Sequence, residues 1–143
     1  PATDYAATTL GALQEYLRPG QYLVYRPKPS WPDKQPVAGY GYSVYPRSFQ
    51  DELASAGCVV TYGSNATLEA VLRGYAAVTL GDGIARPCSS TSVRDVATAV
   101  WPGYDAVHKL ARSIAYCQWT LDEMAAGATA LELARLMRSS RDG

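Results

Sequence analysis

An excess of charge of either sign is missing from this chain of 143 residues, in which 13 lysines and arginines balance 13 aspartates and glutamates. Nucleic-acid binding held mainly by phosphate contacts is therefore not indicated, although a local basic patch stays open. No apolar run approaches the roughly 20 residues that cross a bilayer, and the first residues do not form a charged-then-apolar leader, so the expectation is a cytoplasmic protein without a membrane span. Cysteine is scarce and unpatterned: Cys58, Cys88 and Cys117 make an odd set with no Cys-x-x-Cys spacing. That argues against a disulfide framework and a zinc motif, suits a reducing compartment, and predicts three small buried hydrophobes. The one histidine, His108, lies beside an apolar helical stripe, away from the other candidate residues, and neither a Ser-His-Asp triad nor a metal site is expected there. No two carboxylates stand out as an acid/base couple, so no catalytic residue is assigned.

The length fits a single domain, residues 1–143, large enough to bury roughly two-thirds of its unfolded surface. Its clearest organisation runs from Val59 to Gly83, which reads as strand, small polar turn, helix, glycine stop and second strand. A helix that begins at Gly63-Ser64-Asn65 offers backbone N–H groups without intrahelical partners, and the helix dipole adds partial positive charge there. Such a turn is a prepared phosphate site, which predicts that the chain binds a nucleotide.

Upstream, Ala6, Leu10, Leu13 and Leu17 recur at helical spacing and Pro19-Gly20 ends the pattern. Gln21 to Tyr25 reads as a short strand that Pro27 and Pro29 stop. From Ser30 to Arg47 the Pro, Gly and Tyr content predicts a long surface loop, whose tyrosines either stack on a base or sugar or pack onto the domain. Ser48 to Ala56 reads as a short helix, Ser92-Val93-Arg94-Asp95 as a possible helix start, and Val107 to Ala115 as a helix. Thr120-Leu121-Asp122-Glu123 and Thr129-Ala130-Leu131-Glu132 match capping boxes, so a helical tail is expected from about residue 104. Alternation of strands and helices predicts an α/β fold, a Rossmann-like parallel sheet with helices on both faces and a helical C-terminal tail.

Each candidate site residue has two readings. Ser64 and Asn65 either cap the helix or hold phosphate with hydroxyl, amide and exposed N–H groups. Glu69, a turn further on, either reaches a ribose diol or pairs with Arg73 four residues away. Arg26 and Lys28, just past the first strand, either neutralise phosphate or are solvated loop cations. Asp82, Arg86 and the Gly81/Gly83 pair either line the same cleft, with Tyr40 and Tyr42 as further candidates, or form a plain glycine-rich turn.

The combination of Tyr25-Arg26-Pro27-Lys28-Pro29 with Gly63-Ser64-Asn65-Ala66-Thr67-Leu68-Glu69-Ala70, then Gly74 and Val78-Thr79-Leu80-Gly81, resembles the C-terminal half of GT-B glycosyltransferases. The likeness is greatest to capsule-polysaccharide-type enzymes, a group similar to bacterial sialyl- and Kdo-transferases. It covers about Tyr22 to Ala85 by motif and the tail by general layout. The resemblance implies a nucleotide-sugar-binding domain in which Lys28-Pro29 stands where the family has His-Pro, Ser64 is the phosphate-binding serine, and Glu69 is the acidic residue of the following helix. It further implies sugar transfer from a nucleotide donor to an acceptor, no cofactor beyond that donor, and no metal, in keeping with the absence of Asp-x-Asp. A second Rossmann-like domain or chain that binds acceptor is then a required partner, and a homo-oligomer is open. Two alternatives stand beside it: a non-catalytic nucleotide-binding or protein-interaction module that has lost its partner domain, and a fragment similar to UDP-sugar 2-epimerases, which carry a similar Gly-Ser start to a Glu-bearing helix. An ordinary dinucleotide-binding domain lacks support, because no Gly-x-Gly-x-x-Gly follows the first strand.

Overall fold

A computed structural model describes residues 2–32, 34–118 and 121–127, and the chain divides into two compact units, residues 1–110 and 111–143. The first unit is organised around strand β3 (Cys58–Thr61), helix α3 (Asn65–Leu72) and strand β4 (Ala76–Thr79), a β-α-β crossover with β3 and β4 parallel. Parallel neighbours need such a crossover, because a tight turn can join only antiparallel strands. All four residues of β4 are buried. Since successive side chains point to opposite faces, both faces of this strand are covered, as parallel strands require. Its second edge is paired as well: Thr79 N–H donates to Ser90 O at 2.8 Å and Ser90 N–H to Ala77 O at 3.0 Å, a parallel bridge opposite to β3.

Helix α3 is short for a reason written at both ends. Ser64 caps the start, its Oγ accepting from Ala66 N–H at 3.2 Å. At the other end Gly74 takes φ +92°, which glycine adopts without a Cβ clash. Tyr75 N–H then returns to Ala70 O at 3.0 Å and Gly74 N–H to Val71 O at 3.2 Å, the paired bonds of a Schellman stop. Val71 O accepts a second bond from the Trp101 indole at 2.8 Å, which anchors the helix end from 30 residues away. Thr67, Ala70 and Val71 form the buried stripe of α3.

The N-terminal helix α1 (Ala2–Gln14) buries Ala6, Leu10 and Leu13, as their spacing predicts. Pro19 and Gly20, the latter at φ +85°, occupy the two central positions of the turn closed by Gln21 N–H to Arg18 O at 3.0 Å. Strand β1 is limited to Val24–Tyr25. Its partner lies inside the segment that the sequence predicts as loop: Gly41–Tyr42 forms β2, parallel to β1. Two residues carry no detectable alternation, which is why the strand leaves no periodic signal. The expectation of one parallel sheet is met only in part, since the described strands form two separate two-stranded parallel sheets.

Helix α2 (Phe49–Leu53) opens with a capping box in which Ser48 Oγ accepts from Asp51 N–H at 3.0 Å and Asp51 accepts from Ser48 N–H at 3.2 Å. Ser92 caps only a 3-10 turn, Val93–Asp95. Helix α4 spans Tyr104–Tyr116, starting where the helical tail is predicted, and buries Val107 and Leu110; α5 spans Leu121–Ala125. Thr120, the capping residue of the first Thr-x-x-Glu box, and the second box, Thr129 to Glu132, lie outside the described residues. Among the described residues no helix is long and apolar enough to cross a membrane.

Two glycines give opposite expectations. A Cβ at Gly11, inside α1, meets nothing within 4 Å, so Gly11→Ala should raise the unfolding free energy by about 0.5–1 kcal/mol through better helix propensity. A Cβ at Gly81 would drive into the Tyr62 carbonyl and ring, so Gly81→Ala should lower it by about 1–3 kcal/mol. Urea unfolding of both variants checks the pair, and a Gly81→Ala protein as stable as the parent would contradict this packing.

Candidate functional site

Because β3 and β4 run parallel in register, the loops after their carboxyl ends emerge on the same edge. The pairing extends beyond the strands, with Leu80 N–H to Thr61 O at 2.8 Å and Gly81 N–H to Tyr62 O at 2.5 Å. Next along, the Asp82 carbonyl occupies the space where Gly63 would carry a side chain, and a Cβ on Gly83 would lie 3.5 Å from the Gly63 Cα. Glycine is required at position 63 for this backbone approach, not for its dihedral angle. The turn Gly63-Ser64-Asn65 and the turn Gly81-Asp82-Gly83 therefore form one continuous edge.

The first of these turns is fixed from within. Thr61 Oγ1 and Thr67 Oγ1 share a hydrogen bond, which ties the strand end to the first turn of α3. Ser64 N–H donates to Thr61 Oγ1 at 3.3 Å, and Thr67 N–H to Ser64 O at 3.1 Å. What remains is a set of donors. Gly63 N–H, Asn65 N–H and the Asn65 side chain have no hydrogen-bond partner among the described residues, and the Ser64 hydroxyl, which accepts from Ala66 N–H, keeps its own proton to donate. All three residues are exposed. Donors of this kind at the positive end of a helix complement an anion.

The other residues singled out in the sequence divide between this edge and a structural network. Asp82 and Arg86 pair with each other at 2.7 Å, with the Asp82 carboxylate fully exposed. Arg26 is engaged by the chain itself: its guanidinium donates to Ser43 Oγ at 2.7 Å and to Arg47 O at 2.9 Å, fastening β1 to the segment after β2. Arg47 in turn pairs with Glu52 on α2 at 2.7 Å. Glu69 accepts from Gln50 of α2 at 2.9 Å and from Arg73 at 3.2 Å, so of its two readings the helical ion pair is the one present. Lys28 is exposed and has no ion pair among the described residues. Tyr42 donates its hydroxyl to Lys34 O and lies with its ring 6.3 Å from that of Tyr25, while Tyr40 is half-buried. No hydrogen bond or ion pair among the described residues joins Arg26 or Lys28 to the Gly63–Asn65 turn.

Sequence reasoning passed over Thr61, Thr67 and Tyr62. The two threonines sit six residues apart, a strand-end and helix-start pair that no local motif marks. Tyr62 is 63% exposed, with its ring against Gly81 and 5.6 Å from Tyr5 of α1 at an interplanar angle of 89°. His108 is exposed on α4. Among the described residues no three His, Cys, Asp or Glu side chains gather as metal ligands.

With this geometry in view, comparison with known proteins adds no relative: no family model, no curated protein and no solved structure matches the chain.

The cysteines differ from the expectation of three buried hydrophobes, since Cys88 is buried, Cys58 half-buried and Cys117 exposed. Burial pushes the Cys58 thiol from 9.0 up to about 11 and raises that of Cys88 as well. Only thiolate reacts, so native protein at pH 8 should be alkylated by iodoacetamide at Cys117 first, with Cys58 and Cys88 reacting on unfolding. A thiol whose pKa is raised by folding stabilises the native state below its unfolded value, and that contribution is lost as pH climbs from about 9 towards 11. Mass-spectrometric mapping of the labelled sites checks the order, and early labelling of Cys58 would contradict it.

Proposed function

We propose that this chain is the donor-nucleotide-binding half of a GT-B type glycosyltransferase, with a Rossmann-like core in which the donor phosphate rests on Gly63-Ser64-Asn65. The observation that carries the reading is the set of unpartnered donors at the start of α3, held at the carboxyl edge of two parallel strands. Open α/β sheets take their ligands at that edge. The motif resemblance supplies the rest: a nucleotide sugar as substrate, and a second domain or chain to bring the acceptor.

In the reaction this implies, the bond between the anomeric carbon and the phosphate oxygen breaks, the electron pair leaves with the nucleotide, and the acceptor oxygen forms the new glycosidic bond. The acceptor's proton passes to a base that the second domain would provide. Negative charge on the departing phosphate grows during this step, so donors that face it in advance lower the barrier. Gly63 and Asn65 N–H and the Ser64 hydroxyl are the groups suited to that task, and the motif resemblance adds the Lys28 ammonium to them. Arg26 and Glu69 act one step back, by holding β1, α2 and α3 through Ser43, the Arg47 carbonyl and Gln50. The same engagement of Arg26 and Glu69 favours a second reading, a module that binds nucleotide without transferring sugar.

Two substitutions test the pocket. Aspartate is as good a helix cap as serine, so Ser64→Asp should keep the melting temperature while adding a negative charge beside the phosphate. Ser64→Asp, and separately Lys28→Ala, should weaken binding of whichever of UDP, CMP, GDP or TDP stabilises the parent by roughly 1–3 kcal/mol. Calorimetric titration measures this, and unchanged affinity in both variants would remove the proposed site.

A further inference from the structure

We infer that Tyr62 is the stacking surface for the nucleobase, a role that rests on the phosphate reading of the adjacent turn and extends it to the aromatic part of the ligand. Tyr62 immediately precedes Gly63-Ser64-Asn65, and 63% of its surface is open. An exposed aromatic on a flexible stem would be unremarkable, but this ring is held on two sides. Residue 81 is glycine, and a Cβ there would lie 2.8 Å from Tyr62 Cε1 and 2.9 Å from Cδ1, so the ring occupies space that any other residue would fill. Tyr5 meets it edge to face, with centroids 5.6 Å apart, in the arrangement that aromatic quadrupoles favour.

The ring thus has Gly81 and Tyr5 beside it before any ligand arrives, which narrows the positions open to it. Preorganisation matters because a stacking side chain that is already ordered loses little rotamer freedom on binding. Stacking is tolerant of base identity, since every base presents a π-face. The inference is therefore that Tyr62 recognises the presence of a base, while the turn recognises phosphate.

Ribose 5-phosphate separates the two, being a nucleotide without its base. Calorimetric titrations of the full chain would compare it with UMP, CMP, GMP and TMP for the parent, Tyr62→Phe and Tyr62→Leu, with melting temperatures as the folding control. The parent should bind at least one nucleotide more tightly than ribose 5-phosphate, by roughly fivefold to a hundredfold. Tyr62→Phe should keep that margin, and Tyr62→Leu, which preserves apolar bulk over Gly81, should erase it without changing the affinity for ribose 5-phosphate. Equal binding of ribose 5-phosphate and nucleotides by the parent, or a Tyr62→Leu variant that keeps the margin or weakens both ligand classes alike, would overturn the stacking role alone. A parent that binds none of these phosphates would overturn the phosphate reading, and the stacking role with it.

Discussion

Backbone contact between the ends of β3 and β4 is the constraint on which the rest of the candidate site depends. Two parallel strands in register deliver their following loops to one edge, but loops with side chains at the crossing point could not approach as these do. The Asp82 carbonyl sits where Gly63 would carry a Cβ, and the Tyr62 carbonyl and ring sit where Gly81 would. That approach sets the start of α3 beside the turn after β4 and gives Tyr62 a floor. Both strand ends are then tied by hydroxyls, Thr61 to Thr67 on one side and Thr79 to Ser89, 2.7 Å apart, on the other. Order at the edge comes from local bonds, and Gly63 N–H and Asn65 N–H have no hydrogen-bond partner among the described residues.

A second set of polar contacts joins β1, the segment after β2, α2 and α3. Ser43 and the Arg47 carbonyl hold Arg26, the Arg47 side chain holds Glu52, and Gln50 of the same helix holds Glu69, which holds Arg73. Helix α2 is the middle of this chain of contacts and is only five residues long, too short to persist by propensity. Its capping box and the buried Leu53 supply what propensity does not. Hydrogen bonds from Ser48, first through its side chain and then its backbone, and the nearby Arg47 charge hold Asp51 below the usual carboxylate range. This stabilisation is present above the ordinary carboxylate pKa and is lost as pH falls through the folded value.

What could be read from the sequence follows from how local each signal is. The N-terminal helix, α3 and its glycine stop, and the strands on either side of α3 were legible because periodicity, caps and Gly74 lie within a few residues of what they determine. Strand β2 was not, since two residues in a Pro, Gly and Tyr run become a strand only by pairing with Val24–Tyr25. The site divides in the same way. Ser64 and Asn65 could be found from the turn alone, and Arg73 as a partner for Glu69 from helical spacing. The partner of Arg26, Ser43, lies 17 residues on with no motif between, and that of Glu69, Gln50, lies 19 residues back. Tyr62 escaped notice because its orientation depends on Gly81 and Tyr5, neither of which is near it in sequence.

The central claim is that an anion settles on the start of α3, and the most direct measurement is a titration of the ¹⁵N-labelled chain with inorganic pyrophosphate, followed through its backbone amide resonances. The account predicts saturable shifts centred on Gly63, Ser64 and Asn65, since N–H groups that donate to an anion report it at once. Saturable shifts centred elsewhere, or none at millimolar pyrophosphate, would contradict it.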